Sequence, residues 1–259
     1  MLTKFIDVKV ASLLILLNVF LPITSYAQRE VTHQQSLWWG YFLKIPINEK
    51  WYNLTEVQER HFIMPLSQNQ FLIRTRFHKL IGEKWESSFG MAFFMHNRPG
   101  NNDQEDFTQP ELRPHAEVVY KTTVGKVGLE HRFRSEIRFF KEINDSKSGV
   151  GEIYELTSFR FRYRLQFSVL LKKLSDNRAI KLKFGDEFMV MAGGKVGPLV
   201  FDQNRIHADL SFDLAPNLAL ELGYVNWFQS NQSGGYWNRN IFRTMVRHQL
   251  DFEKTKIDK

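Results

Sequence analysis

The sequence predicts an all-β fold: an antiparallel up-and-down β-barrel of ten or twelve strands, transmembrane and of the outer-membrane type. Apolar and polar residues alternate with a period of two along almost the whole chain, whereas helical periodicity is scarce. The alternating segments run about 10 to 14 residues, longer than strands of soluble sheets and long enough for a tilted strand to cross a bilayer. Tight turns and longer polar loops alternate along the chain, as in a meander with two unlike ends.

The first 27 residues have the layout of a secretory signal. Lys4 and Lys9 precede the apolar run VASLLILLNVFLPI, and SYA ends at Ala27 with small residues at the spacing that a signal peptidase prefers. The run is short for a membrane-spanning helix, and a retained N-terminal anchor is the alternative. We therefore expect a signal peptide over residues 1–27 and a single barrel domain over residues 28–259, because no linker or break in composition divides the latter.

Ten segments from residue 50 onward carry the strand pattern. They are residues 50–60, 70–79, 84–96, 111–121, 128–140, 156–171, 179–191, 201–214, 217–229 and 240–252. Residues 36–47 are an eleventh candidate, but ordinary bacterial barrels close with an even number of strands. Either residues 36–47 lie outside the wall or one further strand escapes the pattern. Pro114 predicts a strand end or a bulge within its segment.

The stretch GLEHRFRSEIRFF, residues 128–140, shows what the alternation is for. Every second residue is mostly apolar, and the residues between carry five charges. A transmembrane barrel turns the apolar face to lipid and the polar face to its lumen, whereas a soluble barrel does the reverse. Aromatic residues near strand ends, such as those in LWWGYF, YVNWF and the pair Tyr236 and Trp237, are typical of two interfacial girdles. They favour the cell outer membrane, with outer-membrane lipid as a partner. A soluble periplasmic lipocalin-like barrel that binds an apolar ligand is the alternative.

Composition excludes several classes of function. The chain has no cysteine, which excludes a disulfide scaffold and a Cys-ligated metal. The net charge is +7, but the basic residues alternate with apolar ones in an exported chain, so we expect no nucleic-acid partner. Histidines lack metal-ligand spacing, no G-x-S-x-G, H-E-x-x-H or P-loop motif is present, and no cofactor is expected. An enzyme is therefore disfavoured; a membrane-embedded lipid hydrolase using His207 and Asp209 is the remaining enzymatic alternative.

The polar face of two successive segments concentrates arginine. Arg132, Arg134 and Arg138 lie on one segment, and the triple-arginine stretch RFRYRLQF, with Arg160, Arg162 and Arg164, lies on the next. Six guanidiniums on adjacent strands repel one another unless carboxylates compensate them. The carboxylates on the same phase are Glu130, Glu136, Glu187 and Glu221, and Glu187 is expected to face Arg205 across neighbouring strands. The polar lumen is then either a structural ion-pair network or a surface that attracts a small anionic solute, such as a phosphate, a sugar acid or a lipid headgroup.

The blocks RFRSEIRFF, RFRYRLQF, GDEFMV and FDQNRIHADLSFDLAPNLALELGYVNWFQ resemble a bacterial family whose members share a domain of unknown function. The resemblance covers residues 36–252, and FDQNR with LELGY is its most specific part. It implies an outer-membrane β-barrel of Gram-negative bacteria, frequent in Bacteroidetes, and it implies no activity and no catalytic residue. With its matching motif positions, the candidates for the lumen or for anion binding are Arg132, Arg134, Glu136, Arg138, Arg160, Arg162, Arg164, Glu187, Asn204 and Arg205.

Overall fold

The computed structural model describes residues 29–100, 105–146, 148–197, 200–231 and 234–250. The predicted signal over residues 1–27 and the end of the last predicted strand, residues 251 and 252, lie outside these residues. No helix among the described residues is long and apolar enough to cross a membrane.

Eleven strands form the wall of a closed barrel within the compact unit Val31–Lys259. The strands are β1 (Val31–Pro46), β2 (Trp51–Phe62), β3 (Ser67–Ile81), β4 (Trp85–Arg98), β5 (Phe107–Val124), β6 (Val127–Ile143), β7 (Val150–Ser175), β8 (Arg178–Ala192), β9 (Val200–Ala215), β10 (Leu218–Ser230) and β11 (Tyr236–Gln249). Each strand pairs with its neighbours in sequence, which confirms the all-β meander. The segment at residues 36–47 belongs to the wall as part of β1.

The prediction of ten or twelve strands and of wholly antiparallel pairing is wrong. Strands β1 and β11 close the barrel in parallel, with register partners from Val31 and Tyr236 to Lys44 and Gln249. The reason is geometric, because each strand of a meander reverses direction and an odd number leaves the first and last strands pointing the same way. Parallel pairing is slightly weaker per residue than antiparallel pairing. The seam is long, however, and its register is continuous.

The two ends of the barrel differ in the length of their connections. Tight connections at residues 47–50, 82–84, 125–126, 176–177 and 216–217 follow the odd-numbered strands at one end, here called the turn end. The connections at the other end, the loop end, are four to eight residues long. The predicted alternation of turns and loops is confirmed. Because the strand number is odd, β1 starts at the loop end whereas β11 finishes at the turn end.

Pro114 lies inside β5, so the expectation of a strand end or bulge there is wrong. Met91 of β4 pairs with Pro114 in an unbroken register. On the other side, pairing with β6 is interrupted between Leu112 and His115, yet the register is the same before and after the gap. Proline lacks an N–H and therefore removes ladder bonds. Here the loss is confined to one side of the strand and does not shift the strand.

Side chains divide by charge between the two surfaces of the wall. The inward side chains of β2 to β9 include buried Arg, Glu, Asp, His and Gln, whereas large apolar side chains are exposed outside. Phe133 of β6 is 58 % exposed on the outer face, while the side chain of the neighbouring Arg134 is 1 % exposed inside. The interior is therefore the polar side, the opposite of a soluble barrel's core.

Candidate functional site

Glu136 is the centre of the ion-pair network inside the barrel. Its side chain is 0 % exposed, and its oxygens lie 2.7 Å from Arg162 Nη1, 3.5 Å from Arg113 Nη1, 3.6 Å from Arg134 Nη1 and 3.7 Å from Arg160 Nη1. The four guanidiniums come from three adjacent strands, β5, β6 and β7. One carboxylate is thus shared among four cations, so each of them needs a second anionic partner.

Those second partners lie on the strands that flank the arginine rows. Glu187 of β8 accepts two bonds from Arg162, from Nε at 3.0 Å and Nη2 at 2.8 Å, and another from Arg132. Glu117 of β5 accepts from Arg134 at 2.7 Å. The planar fork of arginine suits such bidentate contacts, which are stronger than neutral hydrogen bonds.

Glu111 and Asp202 complete this network towards the loop end. Glu111 accepts paired bonds from Arg113, at 2.9 and 2.6 Å, and from Arg138, at 2.6 and 3.2 Å. His96 Nε2 lies 2.7 Å from the same carboxylate. Asp202 Oδ2 forms an ion pair with Arg160, at 2.7 Å from its Nε. We call the connected set of these arginines and carboxylates on β5 to β9 the ion-pair lattice.

Strand geometry explains why the lattice forms. Alternate residues of a strand share one face, so Arg132, Arg134 and Glu136 all point inward. On β7, Arg164 lies opposite Arg132 and Arg162 lies opposite Arg134 in the register. Like charges directly opposite each other are unfavourable. The register offsets this by placing Glu117 beside Arg134 and Glu187 beside Arg164.

The carboxylates expected to compensate the arginine rows all make ion pairs. Glu130 pairs with Arg164, and Glu221 pairs with Arg247 at 2.6 Å and with Lys183. Glu136 and Glu187 occupy the centre of the lattice, as described above. Sequence reasoning missed Glu111 and Glu117, although both share the inward phase of residues 111–121 and could have been found by that signal.

Two predicted site residues lie elsewhere than expected. Asn204 donates to Asp186 at 2.6 Å on the outer face, because it is next to Arg205 and neighbours in a strand point to opposite faces. Arg205 does lie opposite Glu187 in the register, but these two side chains form no ion pair. Glu187 is already bound by Arg132 and Arg162. Arg205 contacts tryptophans instead.

Three tryptophans expected in an interfacial girdle point into the barrel. The Arg205 guanidinium lies 4.4 Å from the Trp227 ring centroid and 5.6 Å from that of Trp38. Arg60 lies 3.9 Å from Trp38, and Arg239 lies 4.6 Å from both Trp227 and Trp237. Guanidinium and indole rings therefore alternate through six side chains, in a series that we call the stack. Trp85 and Tyr120 do pack on the outer face, at 4.8 Å.

Two of the cavities among the described residues bracket this stack. One, of about 380 Å³, extends from the lattice towards the turn end and is lined by charged residues such as Glu56, Arg76 and Lys183. The other, of about 130 Å³, lies at the loop end. Arg60, Phe94, Arg113 and Arg205 line both, so these side chains lie at the boundary between them.

The described residues do not bring together the side chains that a hydrolase or a metal site needs. Asp209 is bound by Arg243, at 2.6 and 2.5 Å, and makes no hydrogen bond with His207. No serine is hydrogen-bonded to a histidine, and no group of His, Asp and Glu in this part of the chain is arranged to hold a metal ion.

A further buried carboxylate, Glu86, has its own three partners. Tyr52, His78 and Lys121 lie 2.5, 2.5 and 2.8 Å from its oxygens.

The family model described as "Protein of unknown function (DUF2490)" matches residues 35–240, and the chain belongs to this family. The match confirms the expected membership of a family of unknown function. It covers most of β1, all of β2 to β10 and the first residues of β11, and therefore the whole lattice and the stack. No curated protein and no solved structure shows a significant match to the chain.

Proposed function

We propose that this member of the DUF2490 family is an outer-membrane β-barrel of a Gram-negative bacterium, exported by its N-terminal segment and closed to general diffusion by the ion-pair lattice. The observation that carries the proposal is the inverted polarity of the wall. Large apolar side chains cover the outer face, while most of the buried side chains inside are polar or charged, beside a smaller apolar cluster on β1, β10 and β11. An exposed apolar surface of this extent needs either lipid or a protein partner, and a belt around a closed barrel fits lipid.

Strand length and the unlike ends support the same proposal. The described strands are 12 to 26 residues long, and a tilted strand of about 9 to 11 residues crosses the hydrocarbon core. Short turns at one end and longer loops at the other match the periplasmic and external ends of bacterial barrels. Closure of the wall leaves no unpaired strand edge, which a lipid environment requires.

The lattice supports a structural role for the interior. Arg134 and Glu136 are almost fully buried, and their partners come from strands on both sides. A barrel of about this many strands has a narrow bore that side chains can fill. A lumen crossed by paired charges is polar without being an open channel, so the lattice holds the wall together and blocks free diffusion.

The lipocalin-like and hydrolase alternatives gain no support from the geometry. An apolar ligand needs an apolar interior, whereas the larger lumen cavity is lined mainly by charged groups. A hydrolase needs a nucleophile with a base in hydrogen-bond reach. No described serine has such a base.

Membrane fractionation with two charge variants tests the proposal. Expressed in a Gram-negative host, the wild type should stay with outer membranes after an alkaline wash and migrate differently on gels before and after boiling. Phe161→Arg places a charge on the outer face near the middle of β7, where lipid-facing arginine costs about 2–4 kcal/mol, and should reduce assembly strongly. Trp85→Arg, at a strand end, should cost about 0–1 kcal/mol. Release of the wild type into the soluble periplasm, or equal effects of both variants, contradicts the proposal.

A further inference from the structure

We propose that the loop-end cavity binds a small oxyanion, a phosphate, sulfate or carboxylate group, through Arg60, Arg98, Arg205 and Arg239. The described residues that line this cavity include seven arginines and no aspartate or glutamate. Asn69, Asn97 and Trp237, close to the loop-end termini of their strands, also line it, so the cavity sits at the loop-end mouth. This inference goes beyond the proposed function, because oxyanion binding needs the cavity and not the bilayer.

The charge of the four arginines is not balanced locally. Arg113, Arg138 and Arg160 also line the cavity, but each has a carboxylate partner in the lattice. Arg60, Arg98, Arg205 and Arg239 have no carboxylate within ion-pair distance in the described part of the chain. Burying cations without counter-ions is costly. The cavity therefore lacks negative charge that the rest of the lumen supplies from its own side chains.

Glutamine, a neutral acceptor, orients three of these arginines. Gln58 and Gln70 accept from Arg60, each at 2.9 Å. Gln34 and Gln229 accept from Arg239 at 2.6 and 2.7 Å, and Gln109 accepts from Arg98 at 3.0 Å. An amide oxygen satisfies an N–H donor without neutralising its charge. In the lattice, glutamate orients the arginines and also neutralises them. In this cavity glutamine orients the guanidiniums but leaves their positive charge in place.

Among the described residues, only cation–π contacts hold the side chain of Arg205. Trp38 and Trp227 hold its guanidinium by cation–π contacts, and its buried Nε has no hydrogen-bond partner. A guanidinium carries five N–H donors. No described side chain or carbonyl accepts a hydrogen bond from this guanidinium, so its N–H donors remain for a ligand. An oxyanion, which is rich in acceptors and binds arginine in a bidentate manner, complements these side chains in charge and in hydrogen bonding.

The size of the cavity limits the ligand. A volume of about 130 Å³ suits one phosphate, sulfate or carboxylate group and not a whole sugar or lipid. The group could be a free ion or the anionic end of a larger molecule that extends from the mouth. Both share the chemistry that the arginines recognise, and binding assays with two probes separate them.

The test uses the full mature barrel refolded in detergent micelles, titrated with inorganic phosphate, glucose 6-phosphate and, as a neutral control, glucose. Binding can be followed by calorimetry and by the fluorescence of the stack tryptophans. Arg205→Gln should weaken binding by about tenfold or more, since a hydrogen bond to a charged group is lost. Arg178→Gln, an exposed arginine at the turn end, is the matched control and should leave binding unchanged.

A second variant keeps the proposal testable if Arg205→Gln fails to fold. Gln70→Glu adds a carboxylate beside Arg60 and should abolish binding, because the site then contains its own anion. Gln68→Glu adds the same charge to an exposed position of β3 and should have no effect. Binding of phosphate identifies a free oxyanion, and binding of glucose 6-phosphate alone identifies the anionic end of a larger ligand. Both results support the site. No binding by the wild type, or equal binding by Gln70→Glu and Gln68→Glu, overturns it.

Discussion

Removal of the Glu136 charge should strongly destabilise the barrel. Glu136→Gln leaves Arg113, Arg134, Arg160 and Arg162 without their shared carboxylate, although each keeps one other acid. Loss of one partner from a buried ion pair costs about 3–5 kcal/mol. With a urea slope of about 1–3 kcal/mol per molar, the unfolding midpoint should fall by about 1 M or more.

The assay is reversible urea unfolding in detergent micelles, followed by tryptophan fluorescence and by the difference in gel mobility between folded and unfolded chains. Asp176→Asn is the control, because its side chain is 97 % exposed in a turn. The double variant Glu136→Gln with Arg162→Gln should recover part of the loss, since it removes a cation as well as its anion. A midpoint for Glu136→Gln equal to that of Asp176→Asn would refute the role assigned to the lattice.

Three other predictions concern the wall and the bore. Gly185→Ala should prevent assembly, because a Cβ there would lie 2.2 Å from the Leu165 carbonyl oxygen, whereas Gly128→Ala, with 3.7 Å to its nearest neighbour, should assemble normally. Cysteines replacing Trp39 and Thr244, register partners across the parallel seam, should cross-link on oxidation and alter gel mobility. Cysteines replacing Trp39 and Asn240, four residues out of register, should not, and the reverse pattern would disprove parallel closure. Planar-bilayer recordings of the wild type should show no steady porin-sized conductance, and a large open channel would show that the lattice does not close the bore.

The arginine rows of β6 and β7 could be predicted from sequence because their signal is local. Arg132 and Arg134 alternate with apolar residues, so their common face follows from the two-residue period of a strand alone. Which acid compensates which arginine depends on register between strands. Glu117 lies opposite Arg134 because β5 and β6 join through a two-residue turn and keep one register from that turn to this pair.

The direction of the tryptophans and the number of strands were harder to predict. Aromatic residues near strand ends are typical of interfacial girdles, and this rule assigned Trp38, Trp227 and Trp237 to the outside. Their inward direction follows from the phase of the strand, which Trp237 shares with the buried Arg239. The rule of an even strand number holds for antiparallel closure. No local pattern in residues 36–47 indicates that their parallel partner lies near the other end of the barrel sequence, in β11.

The most direct test of the account asks whether lipid covers the outer face. Because the chain has no cysteine, single variants Phe133→Cys and Asp176→Cys can be compared in outer-membrane fragments that are open on both sides. The first position lies on the apolar outer face and the second in an exposed turn. We expect a water-soluble maleimide to label Asp176→Cys quickly and Phe133→Cys only after denaturation, while a lipid-soluble maleimide labels Phe133→Cys in the membrane. Equal and rapid labelling of both positions by the water-soluble reagent would contradict the account.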